Sequence, residues 1–457
     1  MSSTRRFLFT ALPTNDLGLL TRSLPIAKEL TNRGHTILFS HPAKAPGMVI
    51  AEAGFTNATP VHPLYEFAFS GLSIRKLAAY VRTPEFKNKY KNLAAFLVEL
   101  VRSIPVRYAA SAAETWNMDH AFAMTGLLNA NFIKAQCKAY LKVIEQSRPD
   151  VIVDFWNPFA SIAGKVAGIP LITVNQADAL PGGSGFVWWK QKPASIPTIV
   201  PAINKVLRSY GLAPIKEIEE LNVGNLTLVT GMPETDPLNG DNDFHYIGSV
   251  LWQNPHAEIP QWFKNLPVDK PLIWIYPGNP SYGGKSKIFD SASMLVACYK
   301  ALANQPFHVV LSMGHQHLTG SLASPPENFQ CVPFVPGLAM AERCNLMIHH
   351  GGYGSCQTGL VSGTPALILP TFSERESNAR RIKQIEAGEY MLPQCDDGIK
   401  SKYFDPEDVL QKTKVLLNTP RYKENAAKYG FKLASYGGVV KAVRLIEEFI
   451  SGDNVTI

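Results

Sequence analysis

Short apolar runs separated by stretches of helical spacing dominate this chain. A basic start, Arg5-Arg6, leads into Phe7-Leu8-Phe9-Thr10-Ala11, which has the length and continuity of a strand buried on both faces. The same plan recurs at Lys270-Pro271, followed by Leu272-Ile273-Trp274-Ile275-Tyr276. Each run leads on to apolar residues of helical period, over 23–33 and 289–304. Further strands are predicted over 36–40, 151–154, 171–175, 308–312, 346–349 and 366–369. Strands alternating with helices predict an α/β protein with parallel sheets and right-handed crossovers. Two such domains are expected, 1–250 and 270–438. Between them, 251–269 carries Pro255, Pro260 and Pro267 with weak periodicity and reads as a linker. A last helix over 439–450 lies beyond the second domain's core.

Composition narrows this picture only a little. A length of 457 residues with 46% hydrophobic and 18% charged residues suits two globular domains. No uncharged apolar run is long enough to cross a bilayer. The N-terminal apolar run is short and is followed by Asn15 and Asp16, so a buried strand rather than a secretory leader is expected. The six cysteines form no Cys-x-x-Cys pair, which reads as free thiols in a reducing, cytoplasmic setting. The net charge of +7 is concentrated in part within 71–111, where Arg75, Arg82, Lys87, Arg102 and Arg107 interleave with apolar residues. Such a segment serves either as a basic amphipathic surface for an anionic membrane or lipid-like acceptor, or as a solvated helical face over a core. No stacking motif accompanies the charge, so nucleic acid is not expected as a partner.

Candidate chemistry is concentrated between 346 and 379. The run Leu346-Met347-Ile348 ends in His349-His350-Gly351-Gly352-Tyr353-Gly354-Ser355, and a helical pattern follows from Cys356. A strand that turns through glycine into a helix presents free N–H groups and a positive dipole end to an anion. A histidine beside it can neutralise or polarise a phosphate oxygen. Such turns also occur in α/β proteins that bind no phosphate. The next strand ends at Pro370, after which Glu374 and Asn378 stand four apart on one helix face. Two neighbouring strand ends then serve one crevice, where ligands bind in open α/β sheets. A second turn, Pro277-Gly278-Asn279, follows another strand and offers a phosphate contact, or is an ordinary turn.

The segment resembles the donor signature of family 1 glycosyltransferases, which runs His-x-Gly-x-x-Ser-x-x-Glu, Gly-x-Pro and Pro-x-x-x-Asp-Gln-x-x-Asn-Ala. His350, Gly352, Ser355, Gly363, Pro365, Pro370, Asn378 and Ala379 match. Thr358 stands in place of the family's ribose-binding Glu, Glu374 in place of the sugar-binding Asp, and Arg375 in place of the Gln. The resemblance is strongest over about 333–389 and continues more weakly over the two-domain plan. It implies the GT-B fold: two Rossmann-like, doubly wound parallel-sheet domains facing a central cleft, with a tail at 439–457 crossing back onto the first. It also implies an inverting glycosyltransferase, with a nucleotide sugar as co-substrate and no bound metal or cofactor. The implied donor residues are Asn279, Phe334, Val335, His350, Gly352, Gly354, Ser355, Thr358, Glu374, Arg375 and Asn378. Among these, Phe334 takes the position of the family's base-stacking Trp.

The resemblance fails at the proton acceptor. Leu19 falls where the family has its catalytic His, while Asp154 matches the Asp that orients it. Three explanations stand open: Asp16 or Asp154 is itself the base, a histidine such as His41, His62 or His120 is supplied by the fold, or the protein binds a nucleotide sugar without transfer. An epimerase of the same fold is a further alternative. Thr358 leaves the donor open between UDP- and dTDP-sugars. Arg375 suits a uronic acid donor, or pairs with Glu374 or Glu376. Leu19, Phe67, Trp116 and Trp156 are the expected acceptor contacts, in a cleft suited to an apolar or aromatic small molecule. A monomer or homodimer is expected.

Overall fold

The computed structural model describes residues 4–15, 17–59, 78, 81–89, 93–108, 114–253, 258–278, 292–313, 323–396 and 401–452. The first sheet holds β1 (Arg6–Ala11), β2 (Thr36–Ser40), β3 (Thr56–Asn57), β4 (Val151–Phe155), β5 (Leu171–Asn175), β6 (Leu226–Thr230) and β7 (His245–Gly248). Its order is β3-β2-β1-β4-β5-β6-β7, parallel throughout. The second sheet holds β8 (Leu272–Tyr276), β9 (His308–Ser312), β10 (Phe329–Val332), β11 (Leu346–His349), β12 (Ala366–Ile368) and β13 (Gly388–Tyr390). Its order, β10-β9-β8-β11-β12-β13, repeats the first six strands of the other sheet and is also parallel. Each sheet therefore reverses its winding once, between β1 and β4 and between β8 and β11. Beyond the strand ends at such a reversal the flanking helices diverge, leaving a crevice.

Five helices matter to the site: α1 (Gly18–Asn32), α2 (Tyr353–Val361), α3 (Ser373–Gln384), α4 (Pro420–Ser435) and α5 (Gly438–Ser451). The first starts five residues earlier than its sequence pattern predicts. Ser23 and Pro25 read as a cap and first turn, but Ser23 Oγ donates to Leu20 O inside the helix, and Pro25 is carried within it. Burial of Leu19, Leu20 and Leu24 against the first sheet outweighs the bond lost at the proline. The strands β3, β6, β7, β10 and β13 were not legible, being short or flanking the central pairs.

The chain passes between the domains twice. It leaves β7 for the second domain through a connection carrying the short helix Gln261–Lys264. It returns after α4, where Gly437 and Gly438 adopt left-handed φ values of +89° and +54°. The helix α5 then buries Ala442, Val443, Leu445 and Ile446 within the core of the first domain. It packs against α1, β6 and β7.

Among the described residues no helix is long and apolar enough to cross a membrane. The described cysteine side chains, Cys137, Cys298, Cys331, Cys344 and Cys356, are free thiols. Part of the basic segment is described: helix Leu93–Arg102 buries Phe96 against Phe86 but leaves Leu97, Val98 and Val101 exposed.

Candidate active site

At the second sheet's reversal, β11 delivers His349 and His350. His349 is fully buried, and its Nδ1 accepts the Gly351 N–H at 3.1 Å. It therefore shapes the turn. His350 lies in a slot between two glycines. A Cβ at Gly278 would stand 2.8 Å from the imidazole, and one at Gly352 would stand 2.5 Å from it. No other residue fits on either side without moving the ring. Burial, Arg375 and His349 hold the His350 pKa well below its ordinary value, so the ring is a neutral imidazole. It can polarise a phosphate oxygen by donating an N–H but cannot neutralise one. Its Nδ1 is buried and makes no hydrogen bond to the protein.

Gly352 precedes α2, and no side chain caps that helix. Gly354 faces open space in its first turn. The uncapped N–H groups and the helix dipole form a cradle of the kind that can receive an anion such as a diphosphate. Ser355, buried, lies within the same turn. Thr358, one turn on, spends its hydroxyl hydrogen on Gly354 O at 2.8 Å.

Asn378 on α3 is a brace for this turn. Its Nδ2 donates to Gly351 O at 3.0 Å and to Glu374 Oε1 at 2.9 Å. The amide fixes both the glycine turn and the carboxylate. Arg375 lies beside the same turn, with its carbonyl oxygen 2.7 Å from where a Gly351 Cβ would stand. Glu376 pairs with Arg380 at 2.8 Å. Phe334 is 57% exposed, an open aromatic face, whereas Val335 is buried. Asn279 lies outside the described residues.

The other face of α3 docks on the first domain. Ser373, Ser377 and Arg381 recur every four residues, one stripe of the helix. Ser373 Oγ accepts the Thr115 N–H and donates to Thr115 O, each at 2.8 Å. Ser377 Oγ accepts from Trp188 Nε1 at 2.9 Å. Arg381 pairs with Asp178 at 2.6 Å and donates to Thr235 O at 3.0 Å, with both side chains of the pair almost wholly buried. Burial works against the Arg381 charge, but Asp178 and Asp236 outweigh it and hold its pKa above the usual value. One helix thus carries Glu374 and Asn378 toward the cradle and seats them from the first domain.

At the first sheet's reversal, β1 and β4 pair Thr10 with Asp154 in register. The Thr10 hydroxyl donates to Asp154 Oδ1, and the Asn157 N–H donates to Oδ2 at 2.9 Å. Burial pushes the Asp154 carboxyl up to about 7, against the lowering effect of those bonds. Trp156 follows in a left-handed conformation, φ +64°, which a non-glycine residue adopts only when its surroundings enforce it. It packs on Phe186 at 6.4 Å, and its Nε1 is buried without a partner. Leu19 is packed in the first core.

Among the described residues, neither His41 nor His120 is hydrogen-bonded to Asp154. His41 is buried with Nε2 against Leu12 O at 3.0 Å and Nδ1 accepting the Ala43 N–H at 3.2 Å. Burial lowers it to about 4. His120 Nδ1 accepts the Trp116 N–H at 3.3 Å, which ties it to a loop. Asp16, Phe67 and His62 lie outside the described residues. Half-buried Trp116 borders a cavity of about 300 Å³ lined also by Asp119, Asp178, Gly183, Lys192 and Glu219. Leu180, Val187 and Val200 complete its apolar lining.

Thr10, Asp178 and the stripe on α3 were missed in sequence, and Gly278 was singled out only as part of a turn. Only the stripe left a signal, its four-residue spacing, and two of its members are serines that look like any exposed helix residue.

Residues 298–436 match the family described as erythromycin biosynthesis protein CIII-like, C-terminal domain. A PGL/p-HBAD biosynthesis glycosyltransferase of Mycobacterium tuberculosis is 27% identical over 283 residues, spanning 57% of this chain and 63% of that protein. The match thus covers less than two thirds of that relative. A PGL/p-HBAD biosynthesis rhamnosyltransferase of Mycobacterium bovis is 23% identical over 396 residues, 80% of this chain and 82% of its own. Among solved structures, a spinosyn rhamnosyltransferase complexed with thymidine diphosphate superposes with a TM-score of 0.64 at 18% identity, over 97% of this chain and 100% of that one. With its twin doubly wound sheets the chain has the GT-B fold of these structures, and in sequence it is similar to glycosyltransferases.

Proposed function

We propose that this protein transfers a sugar from a nucleoside diphosphate sugar to an apolar or aromatic small molecule, inverting the sugar carbon and using no metal ion. The observation that carries the reading is the uncapped start of α2 with the glycine-slotted His350, braced by Asn378 on a helix seated on the first domain. In the proposed step the acceptor oxygen attacks the sugar carbon opposite the diphosphate. The new carbon–oxygen bond forms as the bond to the diphosphate breaks. The departing charge meets the helix N-terminus and the His350 N–H. The acceptor proton passes to a carboxylate, with Asp154 and Asp16 as the candidates. Exposed Leu97, Val98 and Val101 leave room for a lipid-like acceptor or membrane contact near the first domain.

For the donor we favour a dTDP-sugar over a UDP-sugar. Thr358 has its hydroxyl hydrogen engaged with Gly354 O and carries no carboxylate for two ribose hydroxyls. Arg375 keeps a uronic acid among the sugars to test. Placing Glu at 358 should tighten UDP about tenfold relative to dTDP, the scale of one charge-assisted hydrogen bond. Calorimetric titration of the two nucleotides reads that ratio, and an unchanged ratio would remove position 358 from nucleoside recognition. The function itself is tested by mass spectrometry of an aromatic acceptor panel incubated with UDP-glucose and dTDP-glucose. The absence of both a hexose adduct and a nucleotide-dependent rise in melting temperature would overturn it.

A further inference from the structure

The first residue of the cradle helix is also the deepest tie between the domains. Tyr353 is 8% exposed, although Gly354 beside it is open and Gly352 is half-buried. Its phenol leaves the second domain and enters a socket where it meets oxygens that belong to the first, with Arg381 of its own domain in the field of Asp236. The hydroxyl lies 2.7 Å from Thr230 O and 3.0 Å from Asp236 Oδ1. Asp236 is fully buried and is held by the Thr235 hydroxyl at 2.8 Å. The Arg22 guanidinium covers the ring, 4.9 Å from its centroid. The socket wall is Gly231, with a φ of +103°. A Cβ there would stand 2.6 Å from the phenol oxygen and 2.1 Å from Asp236. The phenol has one hydrogen and faces two oxygens, so its position is set from both sides.

The backbone of Tyr353 forms the first turn of the helix, next to Gly352 and Gly354. A shift of the phenol therefore moves the N–H groups that would meet a diphosphate. Such groups act only when held within about 0.5 Å of the productive place. We propose that Tyr353 is a positioning residue through which Thr230, Gly231 and Asp236 of the first domain set the aim of the diphosphate cradle in the second. This rests on residues 350–355 being the donor cradle.

The test is calorimetric titration of dTDP and of UDP against the full chain, with melting temperatures measured in parallel. Tyr353→Phe keeps the ring and loses the anchor, and should weaken nucleotide binding at least about tenfold at a temperature where the variant is fully folded. Arg22→Leu acts only from the first domain and should weaken it about threefold. It serves alone if Tyr353→Phe does not fold. A merely structural tie would lower the melting temperature and leave both affinities unchanged, which would overturn the proposal while the donor reading stood. A wild-type protein that binds neither nucleotide would overturn both.

Discussion

Replacing Asp154 by Asn should lower the turnover of sugar transfer about a hundred- to ten-thousandfold, the range associated with a positioned general base. Nucleotide affinity should stay the same, because Asp154 belongs to the other sheet's reversal. The carboxyl sits where β1 and β4 part, fixed by Thr10 and by the Asn157 N–H. Leu at 19 leaves it without the usual histidine. Burial pushes it up to about 7, which suits proton transfer near neutral pH. The wild-type rate should thus rise with pH through about 7, and the variant should lose that limb. Turnover indifferent to Asp154→Asn but lost with Asp16→Asn would give the base role to Asp16.

The same carboxyl predicts a stability trend of definite sign. Its pKa is raised in the folded state, so folding favours the protonated form. The associated stability is fully present below the unfolded-chain value of about 4 and is lost as pH rises through about 7. Between pH 5 and 8, wild type should lose melting temperature relative to Asp154→Asn, whose side chain does not titrate. Parallel melting curves over that range would dismiss the burial argument.

The largest effect on folding should come from Arg381. Arg381→Leu removes the guanidinium from Asp178 and from the field of Asp236, leaving two buried carboxylates without their countercharge. Removing one partner of a buried pair typically costs about 3–5 kcal/mol, mostly the penalty of the stranded charge. Urea unfolding followed by fluorescence reads this through Trp188, whose indole bonds Ser377 on the same stripe. Asp178→Asn placed on Arg381→Leu should recover part of the loss. A loss within about 1 kcal/mol would mean that water reaches the seam.

Much of the fold could be read in advance because β1 and β8 are unbroken apolar runs with helical spacing behind them. The turn from β11 into α2 was equally legible, since glycines between a strand and a helix signal their backbone geometry directly. Asn378 was singled out as a donor contact, but the bracing of Gly351 and Glu374 by its amide was not foreseen. Asp178 and Arg381 stand 203 residues apart, and neither residue signals the other. Gly278 was read as part of a turn open to a phosphate or of an ordinary turn, and its contact with the His350 ring appears only in the fold. Contacts made across the fold have no local pattern, and the seam between the domains consists almost entirely of them.

The return of α5 to the first domain has a consequence for how the protein can be assembled. The first domain's core is finished only by Ala442, Val443, Leu445 and Ile446, which arrive at the end of the chain. Val268 in the earlier connection is 84% exposed, an open site for a protease. A cut there yields two pieces, each holding something the other's core requires. They should stay together through gel filtration without a peptide bond between them, and pieces expressed separately should recombine. Truncation before Gly438 should make that reunion fail. The molecule is in this sense a clasp closed by its own end, and it can be made in halves.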